Sequence, residues 1–217
     1  MPESKAADEV LSTNEYTFEH YDDPRETRAW FERFLLEHNG RNWQQKLKFS
    51  VTDLLTGNFP KAPNGETTRI FWYRIKYKGV LVGYADAKIH PIFNGRKIIS
   101  DVWIIPMFRK RGHFHASFPA LVEYTDAVGV CIMMSKYRLY GRWFESFGFE
   151  WLSAFGVDPS DDPEQSPGFL VTRDAYKDIV RFMLKFADGY GYPSSGRGKI
   201  VFEEVRKELE NEDTGRC

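Results

Sequence analysis

The chain has 217 residues, of which 42% are hydrophobic and 16% aromatic. This composition excludes an intrinsically disordered chain, and the length suits one α/β domain with a substantial core rather than two complete domains. The 30 Lys and Arg residues nearly balance the 31 Asp and Glu residues, and the formal net charge of −1 argues against nonspecific binding to nucleic acids or anionic membranes.

The cysteine content and the N-terminal composition indicate a compartment. The chain's two cysteines, Cys131 and Cys217, give no disulfide framework. The acidic, polar N-terminus lacks the charged and apolar regions of a secretion signal. No apolar run approaches the roughly 20 residues that cross a bilayer. We therefore expect a cytoplasmic protein without a membrane span.

Two helices are predicted before the first strand. Residues 1–20 are polar and mostly acidic without sustained periodicity, and we expect them to form a flexible lead-in. The segment Asp23–Glu26 combines an N-cap acceptor, proline at the first helical position and Glu three residues after the cap, which predicts a helix that ends near Gly40. An apolar stripe over 43–54 predicts a second helix, which ends at Gly57.

A three-stranded antiparallel meander is predicted next. From residue 69 to 77 apolar side chains recur with a period of two, which indicates a strand. The turn Lys78-Gly79 allows an immediate return along residues 80–89. Asn94-Gly95 tolerates positive φ and predicts a second turn, and residues 97–105 are rich in β-branched side chains.

The second half of the chain alternates helices and strands. Hydrophobic periodicity predicts helices at 115–127 and 137–147, strands at 130–134, 149–157 and 168–172, and a helix that carries Ile179, Phe182, Met183 and Phe186. A Pro- and Asp-rich stretch at 158–167 separates the last two strands. We assign residues 21–187 to one mixed α/β domain, and residues 188–217 to a flexible loop followed by a charged, solvated helix.

The most informative segment joins a strand end, a cationic loop and a helix start. Free N–H groups in a first helical turn and the helix dipole favour an anion, and a glycine lets the backbone approach it closely. The alternative is a solvated basic turn between two elements. The residues of this loop are Arg109, Lys110, Arg111, Gly112, His113 and Phe114.

A family resemblance supports the first interpretation. Residues 98–114 resemble the central motif of the GNAT acetyltransferase superfamily, which is a strand, then Val-x-Pro-x-Tyr-Arg, then a Gly-containing loop that opens a helix. Residues 144–150, Phe-Glu-Ser-Phe-Gly-Phe-Glu, resemble a later part of the same family, where an aromatic residue precedes Leu-Gly-Phe-Glu. The two matches stand in the family's order, and the likeness covers roughly residues 70–155.

The resemblance implies a fold, a cosubstrate and an activity. The fold would be GNAT-like α/β (α+β), a mixed and mainly antiparallel sheet flanked by helices, with a splayed parallel strand pair at a CoA cleft. The loop would hold the pyrophosphate of acetyl-CoA or another acyl-CoA, and backbone near Ile104 and Ile105 would pair with its pantetheine arm. The activity would be direct transfer of an acetyl or short acyl group to a primary amine.

Two positions depart from the family pattern. Phe114 stands where Gly or Ala is usual, so its side chain must point away from a bound phosphate. Phe144 stands where many members carry a tyrosine that protonates the leaving thiolate. Tyr140, one helical turn earlier on the same face, could supply a phenol instead, and Tyr137 lies at the edge of that face. The alternative for both tyrosines is ordinary helix packing.

Asp101 is the best candidate for a general base. It interrupts an apolar strand, where we expect it to share one face with Ile99, Trp103 and Ile105, and partial burial would make it a better proton acceptor. The family often carries a Glu on that face. The alternative is a solvent-facing carboxylate at a strand edge. His90 could also accept a proton, although a histidine beside a proline is typical of a turn.

Other functions remain open. Phe114 and Phe144 are compatible with a noncatalytic GNAT-like binding or structural module of a larger assembly. The segment 109–111, with Arg138 and Arg142, would be the basic surface of a nucleic-acid-associated protein, against which the near-neutral charge argues. His113 and His115 lack a paired Cys or carboxylate, so no metal is implied. The amine acceptor could be a small metabolite, a protein terminus or lysine, or a modified nucleotide.

Overall fold

The structure, a computed structural model, describes residues 13–39, 65–89, 91–152, 167–186 and 196–214. Several sequence predictions therefore fall outside the described residues. These are the helix at 43–54, the stretch at 158–166, His90 and the side chains of Tyr137 and Arg138.

Seven strands of the described chain form one sheet between two layers of helices. The strands are β1 (Tyr16–Tyr21), β2 (Arg69–Tyr77), β3 (Val80–Ile89), β4 (Lys97–Ile104), β5 (Ala127–Met133), β6 (Phe149–Leu152) and β7 (Pro167–Thr172). The helices are α1 (Pro24–Asn39), α2 (His113–Thr125), α3 (Met134–Glu145), α4 (Arg173–Lys185) and α5 (Gly196–Thr214). The strand order is β1-β2-β3-β4-β5-β7-β6. The pair β4–β5 is parallel and the other neighbours are antiparallel, so the predicted fold class is confirmed.

The first helix begins where the capping residues predict. The Asp23 carboxylate accepts a hydrogen bond of 2.8 Å from the N–H of Arg25, and Pro24 occupies the first helical position. The apolar stripe of α1 is buried against β2, β3 and β4. The cluster on this face consists of Tyr21, Trp30, Phe31, Phe34, Leu35, Trp72, Tyr84 and Trp103.

The meander is confirmed together with its turns. Lys78 and Gly79 both have left-handed φ values, 49° and 80°, which is the geometry of a two-residue hairpin turn. Asn94 and Gly95, at 52° and 78°, turn the chain again before β4. Gly79, Asn94 and Gly95, which tolerate positive φ, therefore help to place β2, β3 and β4 side by side.

An additional strand lies within the segment that the sequence assigns to the lead-in. Residues 16–21 form β1, antiparallel to β2, instead of a flexible segment. The strand is held by its ends, because Tyr16 packs against Tyr77 with ring centroids 4.9 Å apart and Tyr21 joins the α1 cluster. Its middle faces solvent, since Glu19 and His20 are exposed, and the short alternation gives a weak sequence signal.

The C-terminal helix also differs from its prediction. It begins at Gly196, within the predicted loop, and it is not simply solvated. Phe202, Val205 and Leu209 recur at helical spacing and are buried against α4. The many charged residues of α5 obscure this narrow apolar stripe in the sequence.

A β-bulge in the middle of the sheet sets which residues of β4 share a face. Asp86 pairs with Asp101 but Ala87 pairs with Ile99, so Ser100 is the extra residue. Ile99 consequently joins the core under α2 and α3, whereas Trp103 packs beneath α1. The prediction that Asp101 shares a face with Ile99 is therefore wrong, because the bulge shifts the alternation by one residue.

The parallel pair β4–β5 is hydrogen-bonded only near its beginning. Registered partners are Lys97 with Ala127 and Ile99 with Val130, after which β4 continues to Ile104. Strand β5 is paired along its other edge with β7 as far as Met133. The second half of β4 thus presents an open edge toward β5, which is the splay that the resemblance implies.

Candidate functional site

The loop after β4 delivers the chain to the first turn of α2. A short 3-10 turn, Pro106–Phe108, is followed by Lys110 and Gly112, both in the left-handed region with φ of 61° and 81°. Gly112 is the N-cap of α2 and therefore supplies no side-chain acceptor. The first N–H groups of the helix are left without a side-chain cap, and the helix dipole makes this end partially positive.

A cleft of about 430 Å³ opens at this loop. Val102, Trp103 and Ile104 of β4 form one wall, and Tyr140 of α3 contributes to another. Of the residues predicted to form the site, the cleft brings together Ile104, Arg109, Lys110, Gly112, His113, Phe114 and Tyr140. Asp101, Ile105 and Arg111 do not line it.

Arg109 braces the loop rather than projecting freely into solvent. Its Nε donates a hydrogen bond of 2.8 Å to the carbonyl of Ile104, and Nη2 pairs with the Glu37 carboxylate at 2.6 Å. Its guanidinium lies 5.6 Å from the centroid of the Trp103 ring. The loop is therefore tied to β4 and α1, and Lys110 and Arg111 stand exposed beside this brace.

The two isoleucines at the end of β4 have different roles. The N–H of Ile105 donates to the Val82 carbonyl at 3.0 Å, and its own carbonyl accepts from the Phe108 N–H at 2.9 Å. Both backbone groups of Ile105 are therefore engaged. Because successive residues of a strand point to opposite edges, the N–H of Ile104 faces the open edge toward β5. Of the two residues, Ile104 alone offers a backbone donor to a molecule in the cleft.

His113 contributes its backbone to the helix end and its side chain to the core. Its Nδ1 lies 2.7 Å from the Tyr16 hydroxyl, and the residue is 6% exposed. Burial, aided by the charge of Arg111, lowers the pKa of His113 below its ordinary value, so the ring is neutral at neutral pH. The side chain of His113 therefore lies in the core, whereas His115 is exposed at the cleft.

The aromatic residues that depart from the family pattern are both accommodated by packing. The ring of Phe114 leans on α3, with its centroid 5.5 Å from Trp143 and 5.9 Å from Tyr140. Phe144 is 4% exposed and packs on Phe118 at 5.1 Å. Tyr140 is half-buried and lines the cleft. The phenol at the cleft is therefore that of Tyr140.

Asp101 lies beside the cleft in a group of ionisable residues. It is half-buried on β4, directly opposite Asp86 of β3. Asp86 is 1% exposed, and Lys88 Nζ lies 3.7 Å from its Oδ2. Sequence reasoning missed Asp86 and Lys88, although an Asp and a Lys two residues apart within an otherwise apolar strand are a usable signal.

Two features are absent from the described segments. Within these segments no group of three or more His, Cys, Asp and Glu residues could hold a metal ion. None of the helices in the same segments combines the length and the apolar character that a bilayer crossing needs.

Comparisons with known proteins return structural likeness only. No protein-family model matches the chain, and no curated protein matches it. Similar solved structures include the ribosomal-protein-S18-alanine N-acetyltransferase from Escherichia coli, with 11% identity over 72% of this chain and 92% of that one and a TM-score of 0.43. An acetyltransferase from Thermus thermophilus has 15% identity over 71% and 96%, with a TM-score of 0.45. An acyl-CoA N-acyltransferase from Pseudomonas aeruginosa has 17% identity over 72% and 97%, with a TM-score of 0.42.

At such low identities and TM-scores these likenesses carry no argument about activity. The superfamily resemblance rests instead on residues 98–114 and 144–150, and on the mixed sheet whose parallel pair opens beside the loop.

Proposed function

We propose that the protein transfers an acetyl or short acyl group from acyl-CoA to a primary amine by direct attack. The observation that carries this proposal is the cleft where three features meet: the open edge of β4, the uncapped start of α2, and the phenol of Tyr140. Each feature suits one part of the reaction.

The start of α2 suits the pyrophosphate of the cosubstrate. Its uncapped N–H groups and dipole favour an anion, and Gly112 presents no side chain to obstruct the approach. Lys110 and Arg111 are exposed beside it and add positive charge. The Phe114 ring is held against α3, so it stays clear of the helix end.

The open edge of β4 suits the pantetheine arm and the thioester. The backbone of Ile104 faces this edge, so an extended arm could pair with it as an added strand would. Tyr140, across the cleft, would protonate the sulfur when the C–S bond breaks. Arg109 acts indirectly, since it holds the loop against β4 and α1.

Asp101 would take the proton that the acceptor loses. It lies on the same face of β4 as Trp103, which lines the cleft, so one water could connect the carboxylate to an incoming ammonium. The neutral amine then attacks the thioester carbon, an amide forms, and free CoA leaves. Few other side chains are needed, because holding the amine against the thioester accounts for much of such a rate enhancement.

The test is acyl transfer itself. Acetyl-CoA is incubated with the protein and a panel of primary amines, CoA release is followed, and acetylated products are identified by mass spectrometry. We expect at least one alkylamine to be acetylated, and the Asp101→Asn variant to be slower with the same amine. Failure of the whole panel despite tight CoA binding would contradict the catalytic proposal.

That outcome would favour a noncatalytic CoA-binding module. The structural observation that supports this alternative is Phe144, whose ring is buried in the core where the family pattern has a phenol.

A further inference from the structure

A small polar cluster interrupts the apolar packing on the α1 side of the sheet. It consists of Asp86 and Lys88 on β3, Asp101 on β4 and Cys131 on β5, and we call it the carboxylate cluster. The bulge at Ser100 places Asp101 directly opposite Asp86. The two carboxylates therefore face the same small volume between the aromatic residues under α1 and the apolar residues under α4.

Asp86 is the unusual member of the cluster. It is 1% exposed, and neither of its carboxylate oxygens has a hydrogen-bond partner among the described residues. Lys88 Nζ is 3.7 Å from Oδ2, which is an ion pair without a hydrogen bond. A buried carboxylate in this position is costly unless it holds a proton or a further cationic donor reaches it.

The other ionisable groups define the charge of the cluster. Burial raises the pKa of Asp86 well above its ordinary value, Lys88 opposes the shift, and Asp101 adds to it. Burial lowers the pKa of Lys88, but the charges of Asp86 and Asp101 outweigh this and raise it, so Lys88 stays cationic. Burial raises the pKa of Cys131 to about 12, so its thiol is neutral at neutral pH.

The cluster lies within reach of the cleft. Trp103 lines the cleft and is two residues beyond Asp101 on the same face of β4, a distance of about 7 Å along a strand. Asp101 is half-buried, whereas Asp86 lies behind it in the sheet. An amine that enters past Trp103 would meet Asp101 first.

We propose that Asp86 and Asp101 share one proton and that this pair receives the ammonium group of the acceptor. The proposal rests on the proposed function and narrows its substrate class to primary alkylamines that are cationic at neutral pH. Asp101 contacts the ammonium, and Asp86 is a positioning residue that acts through Asp101. Lys88 neutralises one of the two negative charges of the ionised pair. One negative charge therefore remains, which a single ammonium group can neutralise.

The proton balance follows from the charges. When the ammonium binds, its positive charge replaces the shared proton, which leaves to solvent. Asp101 then takes a proton from the ammonium, and the resulting neutral amine forms the amide bond as the C–S bond breaks. The second proton lost by the amine nitrogen goes to the thiolate, and Asp101 keeps the first, which restores the shared proton of the pair. The net products are therefore the amide, CoA and the one proton released when the ammonium bound.

Infrared spectroscopy of carboxyl-labelled aspartate tests the pair without an activity assay. At neutral pH we expect one protonated carboxyl signal in the full-length protein. It should vanish in Asp86→Asn, which lacks the buried carboxylate, and shift in frequency in Asp101→Asn, where burial still favours a proton on Asp86 but the carboxylate that shares it is gone. Asp178→Asn, which alters a carboxylate on α4, should keep the signal. A signal that persists in Asp86→Asn, or that keeps its frequency in Asp101→Asn, would overturn the sharing of a proton.

Addition of n-butylammonium chloride tests the ligand. The signal should fall in the parent protein, and sodium chloride at the same ionic strength should leave it unchanged. A signal that does not respond to n-butylammonium through the millimolar range would overturn the ammonium assignment. Acetyl-CoA stabilisation, measured in parallel, reports separately on the cosubstrate site, so failure of this proposal and failure of the proposed function are distinguishable.

The pH profile is the kinetic readout. In Asp86→Asn the acid limb of kcat/KM should move to lower pH, since the variant lacks the buried carboxylate whose pKa is raised, and KM for the amine should rise about tenfold. The groups that face Asp86 in the described chain are Lys88, Asp101 and Cys131, and none is altered in this variant. A uniform loss of activity across pH would instead assign Asp86 to structure and overturn the proposal.

Discussion

The two edges of β4 offer opposite kinds of chemistry. On the edge toward β3 the strand is paired along its length except at the bulge of Ser100, and the unusual groups are side chains, Asp101 opposite the buried Asp86. On the edge toward β5 pairing stops after Ile99, and the groups on offer are the backbone of Ile104 and the N–H groups that begin α2. A closed edge can position proton-transfer groups rigidly, whereas an open edge can accept an extended ligand. The two kinds of variant should therefore have separable effects.

The largest expected effects are about a hundredfold, and the one on the open side is in Gly112→Asp. The carboxylate would stand where the phosphate must approach, and we expect acetyl-CoA affinity to fall about a hundredfold, a change of about 2.7 kcal/mol in binding free energy. Gly112→Ala is the matched control, because it keeps the cost of a side chain at φ of 81° without the charge. Lys110→Ala should weaken binding only a few fold. Calorimetric titration of folded variants measures all three, and parent-like affinity in Gly112→Asp would refute the loop assignment.

On the closed side, Asp101→Asn should lower turnover about a hundredfold at neutral pH, as loss of a general base does. Acetyl-CoA affinity should remain close to that of the parent, because Asp101 does not line the cleft. Steady-state kinetics across pH, with calorimetry of the same variant, measures both quantities. Full activity with an unchanged pH profile would transfer the role of base to His90 or to water.

Tyr140 lines the cleft from α3, and its replacement should have a smaller effect. Tyr140→Phe should reduce kcat about tenfold if the phenol protonates the thiolate, since solvent can partly substitute for it. Tyr124→Phe, at an exposed position on α2, is the control for loss of a phenol. Unchanged kcat in Tyr140→Phe would assign the residue to helix packing alone.

The smallest effect concerns His113, whose side chain belongs to the core. Because its pKa is lower in the folded protein, the unfolded chain binds a proton first as the pH falls. His113 therefore contributes stability above the ordinary histidine pKa of about 6.5 that is lost progressively below it. Urea unfolding at pH 7.5 and pH 5.5 should show a smaller loss in His113→Gln than in the parent, while the exposed His115→Gln behaves like the parent. An identical loss in His113→Gln would contradict the buried, neutral ring.

The sequence could predict most of the meander and the start of the site, because those depend on local rules. Asn94-Gly95, Lys78-Gly79 and the cap at Asp23 act through their own backbone geometry, and Gly112 precedes a helix as the resemblance implies. Strand β1 and the start of helix α5 were harder to predict from the sequence, since each element is held by a few apolar residues among charged ones.

What the sequence could not supply were long-range pairings. The bulge at Ser100 decides that Asp101 faces Asp86 and not the core around Ile99, and no local pattern marks it. The ion pair of Arg109 with Glu37 joins residues 72 positions apart. The sequence alone therefore could not show which of the loop's three cations is held in place and which two are exposed. Likewise, the backbone N–H of Ile105 is not free to bind a ligand, because it donates to the carbonyl of Val82 in another strand.

The central claim is that the open edge of β4 and the start of α2 form an acyl-CoA site. Thermal unfolding and calorimetric titration with acetyl-CoA test it most directly, and pantetheine, which lacks the pyrophosphate, is the control ligand. At a hundredfold excess over its dissociation constant, acetyl-CoA should stabilise the fold by about 2.7 kcal/mol, and pantetheine by much less. No change in the melting temperature together with no heat of binding would contradict the account.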